Sequence, residues 1–116
     1  MIQTKRVYDK PAKTDGFRVL VDRLWPRGLT KEKAHVDLWM KEIAPSDDLR
    51  KWFHHEEQNW GEFVKRYKAE LGKKKDLLSE LAKLTEERKA VTLLYGSKDE
   101  KQNQAVVLAE VLKSKK

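Results

Sequence analysis

Two apolar periods alternate along this chain. Ile2 to Tyr8 alternates loosely, with Ile2, Thr4, Arg6 and Tyr8 on one face, and Phe17-Arg18-Val19-Leu20-Val21-Asp22 is a β-branched run of the kind found inside sheets. Both are predicted strands. The loop between them contains Pro11 and Asp15-Gly16. Trp25-Pro26-Arg27-Gly28 reads as a turn, because Pro presets φ at its second position and Gly suits its fourth. From Val36 to Met40 the alternation returns, with Val36, Leu38 and Met40 on one side, predicting a short strand at a sheet edge. Ala90-Val91-Thr92-Leu93-Leu94-Tyr95 is the buried-strand candidate of the chain.

The remaining apolar positions follow the helical period. Ser46, followed by Asp47 and Asp48, announces a helix whose inward residues are Leu49, Trp52 and Phe53. Asn59-Trp60-Gly61-Glu62 has the form of a capping box, ahead of Trp60, Phe63, Val64, Tyr67 and Leu71, with Gly72 as the C-terminal cap. Leu77, Leu78, Leu81 and Leu84 mark another amphipathic helix. A last one, after Gly96 to Asp99, buries Ala105, Val106, Leu108, Ala109 and Leu112, with Asp99 available as its N-cap. Strands, helices, a central strand and a helix make an α/β fold: a small, mainly parallel or mixed sheet of about four strands flanked by helices.

Composition narrows the function classes. At 116 residues the chain is read as one domain, residues 1–116. It has no cysteine, which excludes disulfides, thiolate catalysis and cysteine-ligated metal sites and suits a reducing compartment. The start lacks the apolar run of a signal peptide, and no stretch approaches the roughly 18–20 apolar residues of a membrane span. A cytoplasmic location is therefore expected, with no membrane partner. Net charge is +7, unevenly spread: residues 1–34 carry nine Lys/Arg against four Asp/Glu, residues 35–70 six against eight, and residues 71–116 eleven against seven. Acidic ligands are thus electrostatically permitted. Lys supplies nineteen of the positive residues, so Lys73-Lys74-Lys75 and the 113–116 tail read first as solvated surface. Four of the seven arginines, Arg6, Arg18, Arg23 and Arg27, fall within the first 27 residues, and Arg suits bidentate anion contacts.

Ligands of open α/β sheets sit beyond the carboxyl ends of strands. Two segments meet that description: Asp22 to Gly28, and Tyr95 to Asp99 ahead of the last helix. If the sheet brings them together, Asp22, Arg23, Arg27, Tyr95, Lys98 and Asp99 line one positive cleft, with Asp22 partly buried and ionised by pairing to an Arg. Arg23, Arg27 and Lys98 would hold negative groups, and Trp25 and Tyr95 would stack on or line the pocket. Asp22 or Asp99 would serve as acid or base, with Asn103 as a further ligand-binding residue. Each has a structural reading too: Trp25 and Tyr95 as core, Asp22 as a loop-ordering carboxylate, Asp99 as a cap. His54 and His55 point about 100° apart on a helix, so together they grip no single metal readily. They read as a helix-end pair facing the C-terminal dipole, with a catalytic His55 as the alternative. No metal site is indicated, and the identity of any cofactor is left open. P-loop, G-x-G-x-x-G, G-x-S-x-G and H-E-x-x-H are all missing.

The residues also carry a family resemblance. Lys5-Arg6-Val7-Tyr8-Asp9, the Val21–Gly28 string, Trp39, Ala44-Pro45-Ser46, Trp52-Phe53 with His55, Phe63 to Leu71, and Leu93-Leu94-Tyr95 followed by Lys98-Asp99 and Asn103 resemble the YeaO-like family, domain of unknown function 488. The resemblance spans nearly the whole chain. It implies a small bacterial α/β protein and brings no substrate or reaction with it. It also implies a His after Asn103, where this chain has Gln104, and in some relatives a strand Cys that is absent here. Gln hydrogen-bonds but shuttles no proton near neutral pH.

Three functions compete at this point. The first is a binding protein or enzyme for a small anionic, nucleotide-like ligand. The second is a nucleic-acid-binding accessory domain using the Lys-rich stretches, weakened by the absence of a helix-turn-helix or aromatic RNA-binding signature. The third is a structural interaction module.

Overall fold

A computed structural model describes residues 1–56 and 58–114. Four strands form one sheet: β1 (Ile2–Arg6), β2 (Phe17–Leu20), β3 (Leu38–Trp39) and β4 (Val91–Tyr95). Their order is β1-β4-β2-β3, and every pairing is parallel. The five-residue apolar run becomes an inner strand because all of its side chains are buried. The register aligns Arg6 with Tyr95, Leu20 with Leu94 and Leu20 with Trp39, so all four strands deliver their carboxyl ends to the same edge.

Five helices complete the fold: α1 (Lys31–Ala34), α2 (Asp47–His55), α3 (Trp60–Gly72), α4 (Lys75–Glu87) and α5 (Gln104–Ser114). Alternation along the inner strands sorts the core into two clusters. Val19, Val21, Val91, Leu93 and Tyr95 join Leu49, Phe63, Tyr67, Leu81 and Leu108 in the larger one. Leu20 and Leu94 join Val7 and Ala34 in the smaller one, against which Trp25, Leu29 and Val36 pack. Ser46 caps α2 as its position predicts, its Oγ accepting from the Leu49 N–H.

Several local expectations are corrected. The strand read at 36–40 shortens to Leu38–Trp39, though it does lie at the edge. Asn59 starts α3 without a side-chain cap, because Glu62 turns to Arg66 at 2.9 Å and the box never closes. Gly72 is the last residue of α3, and Lys73 continues in right-handed geometry, so no left-handed cap forms. Val107, not Val106, is the buried valine of that turn of α5. Short α1, capped by Thr30 Oγ, was not foreseen. Gly16 is obligatory: its φ is +66°, and an added Cβ would stand 2.3 Å from the Ala90 carbonyl oxygen.

The buried ion pair is also elsewhere than expected. Asp15 and Arg18 are 3% and 4% exposed and meet at 2.5 Å, with Lys5 at 3.2 Å from the same carboxylate. Burial raises the Asp15 pKa, but hydrogen bonds from the Ala12 N–H, Lys5 and Arg18 outweigh it and hold the carboxyl below its ordinary value. No helix of the described residues is long and apolar enough to cross a membrane.

Candidate functional site

The carboxyl edge of the sheet opens into a cleft of about 520 Å³. Its floor is where β2 and β4 end. Asp22, just past β2, accepts a 2.7 Å hydrogen bond from the Gly96 N–H just past β4. Its other carboxyl oxygen accepts from the Gln104 side-chain amide, which also reaches the Val21 carbonyl oxygen at 3.5 Å. Ser97, Gln102 and Asn103 extend the floor. Asn103, not Asp99, caps α5, its Oδ1 accepting from the Val106 N–H while its Nδ2 donates to the Asp99 carbonyl. The Asp99 carboxylate is engaged within its own turn by the Lys101 and Gln102 N–H groups.

One wall is α2. Arg50, Lys51, His54 and His55 line the cleft, spaced so that Arg50 and His54, and Lys51 and His55, stand one turn apart. The two histidines close the helix, as their position predicts, with ring centroids 5.5 Å apart. Phe53 and Phe63 make the apolar wall, stacked at 4.4 Å. The segment leading into α2 is clamped: Arg23 donates from Nε to the Pro45 carbonyl and from Nη2 to the Ala44 carbonyl, and Lys74 Nζ donates to Ala44 as well. Glu70 holds Ser46 through both its N–H and its hydroxyl.

Of the residues picked from the sequence, Asp22, Arg23, Asn103 and His55 line this cleft. Trp25, Arg27, Tyr95, Lys98 and Asp99 do not, which corrects the expectation that the two loops share it through those side chains. Trp25 turns to the opposite face of the sheet, donates Nε1–H to the Leu29 carbonyl at 2.7 Å and packs edge-on against Trp39. Arg27 is exposed on its turn, its carbonyl held by the Tyr8 hydroxyl. Tyr95 is 2% exposed and belongs to the core. Lys98 is exposed outside the cleft. Arg50, Lys51, His54, Phe53, Phe63 and Gln104 were missed. The one-turn spacing of Arg50 with His54 was a legible sign of a polar helix face, but which element it would face was not.

Asp22 departs from the expected arrangement in its partners too. Burial pushes its pKa up from 3.8 to about 6, against the hydrogen bonds from Gly96 and Gln104 and the charge of Arg50. No Arg pairs with it; the Arg-paired buried carboxylate is Asp15. The folded protein therefore holds this proton more tightly than the unfolded chain. Stability contributed by protonated Asp22 is fully present below about pH 4 and is lost as pH rises through about 6, a change of roughly 2–3 kcal/mol. Urea melts of wild type and Asp22→Asn from acid to neutral pH check this, since the difference between them cancels the other carboxylates. Wild type should gain on the variant as pH falls through that window, and a pH-independent difference would contradict it. Among the described residues no group of three or more His, Asp or Glu side chains is arranged to hold a metal ion.

Over residues 1–116 the chain matches a family model described as the inactive DUF488-N3 subclade. The chain belongs to this family. It is 47% identical over 113 residues to the uncharacterized protein YeaO of Escherichia coli (strain K12), covering 97% of each chain. It is 41% identical over 111 residues to the uncharacterized protein Rv3073c of Mycobacterium tuberculosis (strain ATCC 25618 / H37Rv), covering 96% of this chain and 92% of that one. No solved structure matches it. The YeaO-like membership expected from the Val21–Gly28 string and its companions is met. In this DUF488 member, the position after Asn103 carries a glutamine amide that donates to Asp22.

Proposed function

We propose that this protein binds a small anionic, nucleotide-like molecule in the carboxyl-edge cleft and does not convert it chemically. The observation that carries the reading is the asymmetry of the cleft. A helix face bearing Lys51, His54, His55 and Arg50, the last paired to Asp47 at 3.0 Å, stands on one side, and a polar floor around Asp22 on the other, with Phe53 and Phe63 as an apolar wall. A volume near 520 Å³ falls in the range of small-molecule sites. Asp22 acts as a binding group in this reading, His55 offers an imidazole at the rim, Asn103 holds the start of α5 beneath the floor, and Arg23 shapes the wall through the carbonyls it holds. Asp99, assigned to its own turn, has no acid–base part. Binding without turnover is favoured because Gln104, which cannot relay a proton near neutral pH, is the side chain on Asp22. The description of the family as an inactive subclade points the same way. The cysteine-free sequence suits action in the cytoplasm.

The nucleic-acid reading gains nothing from the fold, since Lys74 of the 73–75 cluster is turned inward onto Ala44. Of the 113–116 tail, residues 115–116 lie outside the described residues. Calorimetric titration with AMP tests the proposal. Binding is expected, weakened about tenfold by Arg50→Glu and unchanged by Lys73→Glu. No binding at millimolar AMP, or binding indifferent to Arg50→Glu, would overturn it, and consumption of bound AMP would overturn its non-catalytic half.

A further inference from the structure

We infer that the ligand presents a pair of adjacent hydroxyl groups, as the 2′- and 3′-hydroxyls of a ribonucleotide do, to acceptor oxygens of Asp22 and Gln104 on the cleft floor. The inference rests on the anionic-cleft reading above and assigns the end of the ligand away from the rim.

The orientation of the Gln104 amide carries it. The groups facing that amide, the Asp22 carboxylate and the Val21 carbonyl, are both acceptors, so the nitrogen must face them. Its carboxamide oxygen therefore points away. No described residue donates to that oxygen, and no buried side-chain nitrogen or oxygen among the described residues lacks a partner, so it is reached by solvent. Gln104 lines the cleft, and we assign its carboxamide oxygen to that opening. Asp22 adds two more acceptors: each carboxyl oxygen takes one donor, from Gly96 or Gln104, and has a second lone pair to offer.

A floor rich in acceptor oxygens reads donors. An anionic group there would meet the Asp22 carboxylate and acceptor atoms, because Arg23 directs its Nε and Nη2 donors to the carbonyls of Pro45 and Ala44 and its Nη1 stands 3.9 Å from Glu42. The phosphate thus goes to Arg50 and Lys51 on the opposite wall, and the hydroxyl-bearing part of the ligand goes to the floor. A single exocyclic amine could also donate to the floor, but it would leave the base pointing down and nothing to cover Phe53. A ribose on the floor leaves the base free for that apolar wall. Base, ribose and phosphate then each meet a surface of matching chemistry.

Calorimetric titration with AMP and 2′-deoxy-AMP at slightly alkaline pH, where Asp22 is ionised, distinguishes the outcomes. Loss of one hydroxyl is expected to weaken binding about tenfold, because it leaves an acceptor unpaired. Gln104→Met and Asp22→Asn, each checked for folding by thermal melting, should shrink that discrimination below about twofold. Equal binding of the two nucleotides would overturn this inference and leave the anionic cleft intact. Discrimination that survives both substitutions would overturn it as well. Failure of both nucleotides to bind would overturn both readings together.

Discussion

Replacing Phe63 with Ala is expected to cost about 3–5 kcal/mol of folding stability. Phe63 is 3% exposed and sits in the middle of an aromatic row, with Phe53 at 4.4 Å, Trp60 at 5.4 Å and Tyr67 at 5.9 Å between ring centroids. Truncation removes the transfer free energy of a whole ring and leaves a hole that its neighbours cannot easily fill. Tyr67 is tied by its hydroxyl to the Ile43 carbonyl, and α2 is pinned at its start through Ser46 and Glu70. Aromatic stacking, worth roughly 0.5–1.5 kcal/mol per pair beyond area, is lost as well. Urea melts measure the effect. A loss below about 1 kcal/mol would mean that α2 and α3 are not held together at this residue. Because Phe63 also lines the cleft, the same variant should weaken AMP binding.

Arg18→Met is expected to destabilise the protein by about 3 kcal/mol or more. Its guanidinium donates to Asp15 at 2.5 Å, to the Ala34 carbonyl at 2.9 Å and to the His35 carbonyl at 2.9 Å, tying the loop before β2 to the end of α1. Removing it leaves a buried carboxylate with Lys5 and the Ala12 N–H as partners, and two carbonyls without donors. Methionine keeps much of the side-chain volume, so the loss reports charge and hydrogen bonding rather than a cavity. Asp15 should then be partly neutralised, and the variant should recover some stability at acid pH relative to wild type, where Asp15 is protonated in both. A double-mutant cycle with Asp15→Asn isolates the pair; a coupling below about 0.5 kcal/mol would show that Arg18 acts through its bonds to the Ala34 and His35 carbonyls and its packing rather than through Asp15.

Much of the architecture was legible along the chain. Ala90 to Tyr95 reads as a buried strand because it has no polar face, and the fold makes it an inner strand paired on both sides. Ser46 with Asp47 and Asp48 marks a helix start through chemistry confined to a few residues, and Oγ caps as expected. The rule that ligands sit beyond strand carboxyl ends led to Asp22, and the cleft does open there. These readings hold because period, capping and strand polarity are local properties.

What stayed hidden depends on which elements meet. Asp22 receives its side-chain donor from Gln104, 82 residues away, and its N–H donor from Gly96, both brought close by the pairing of β2 with β4. An Asp beside an Arg in the sequence looks like an ion pair. Here Arg23 reaches instead for the carbonyls before α2, and Asp22 is left half-buried with no ion-pair partner among the described residues, its pKa raised to about 6. The polar face of α2 is visible in its spacing, but only packing sets the exposed Arg50, Lys51 and His54 along the cleft. Likewise nothing in a loop containing Pro11 and Asp15-Gly16 shows that Asp15 will be buried on Arg18. The sequence by itself determined the four strands, the four longer helices and their order, and it pointed to the carboxyl ends of the strands, where a cleft opens beside Asp22. The tertiary structure alone decided which charges are buried, which are paired and which face the cleft, because those depend on contacts between segments that are distant along the chain.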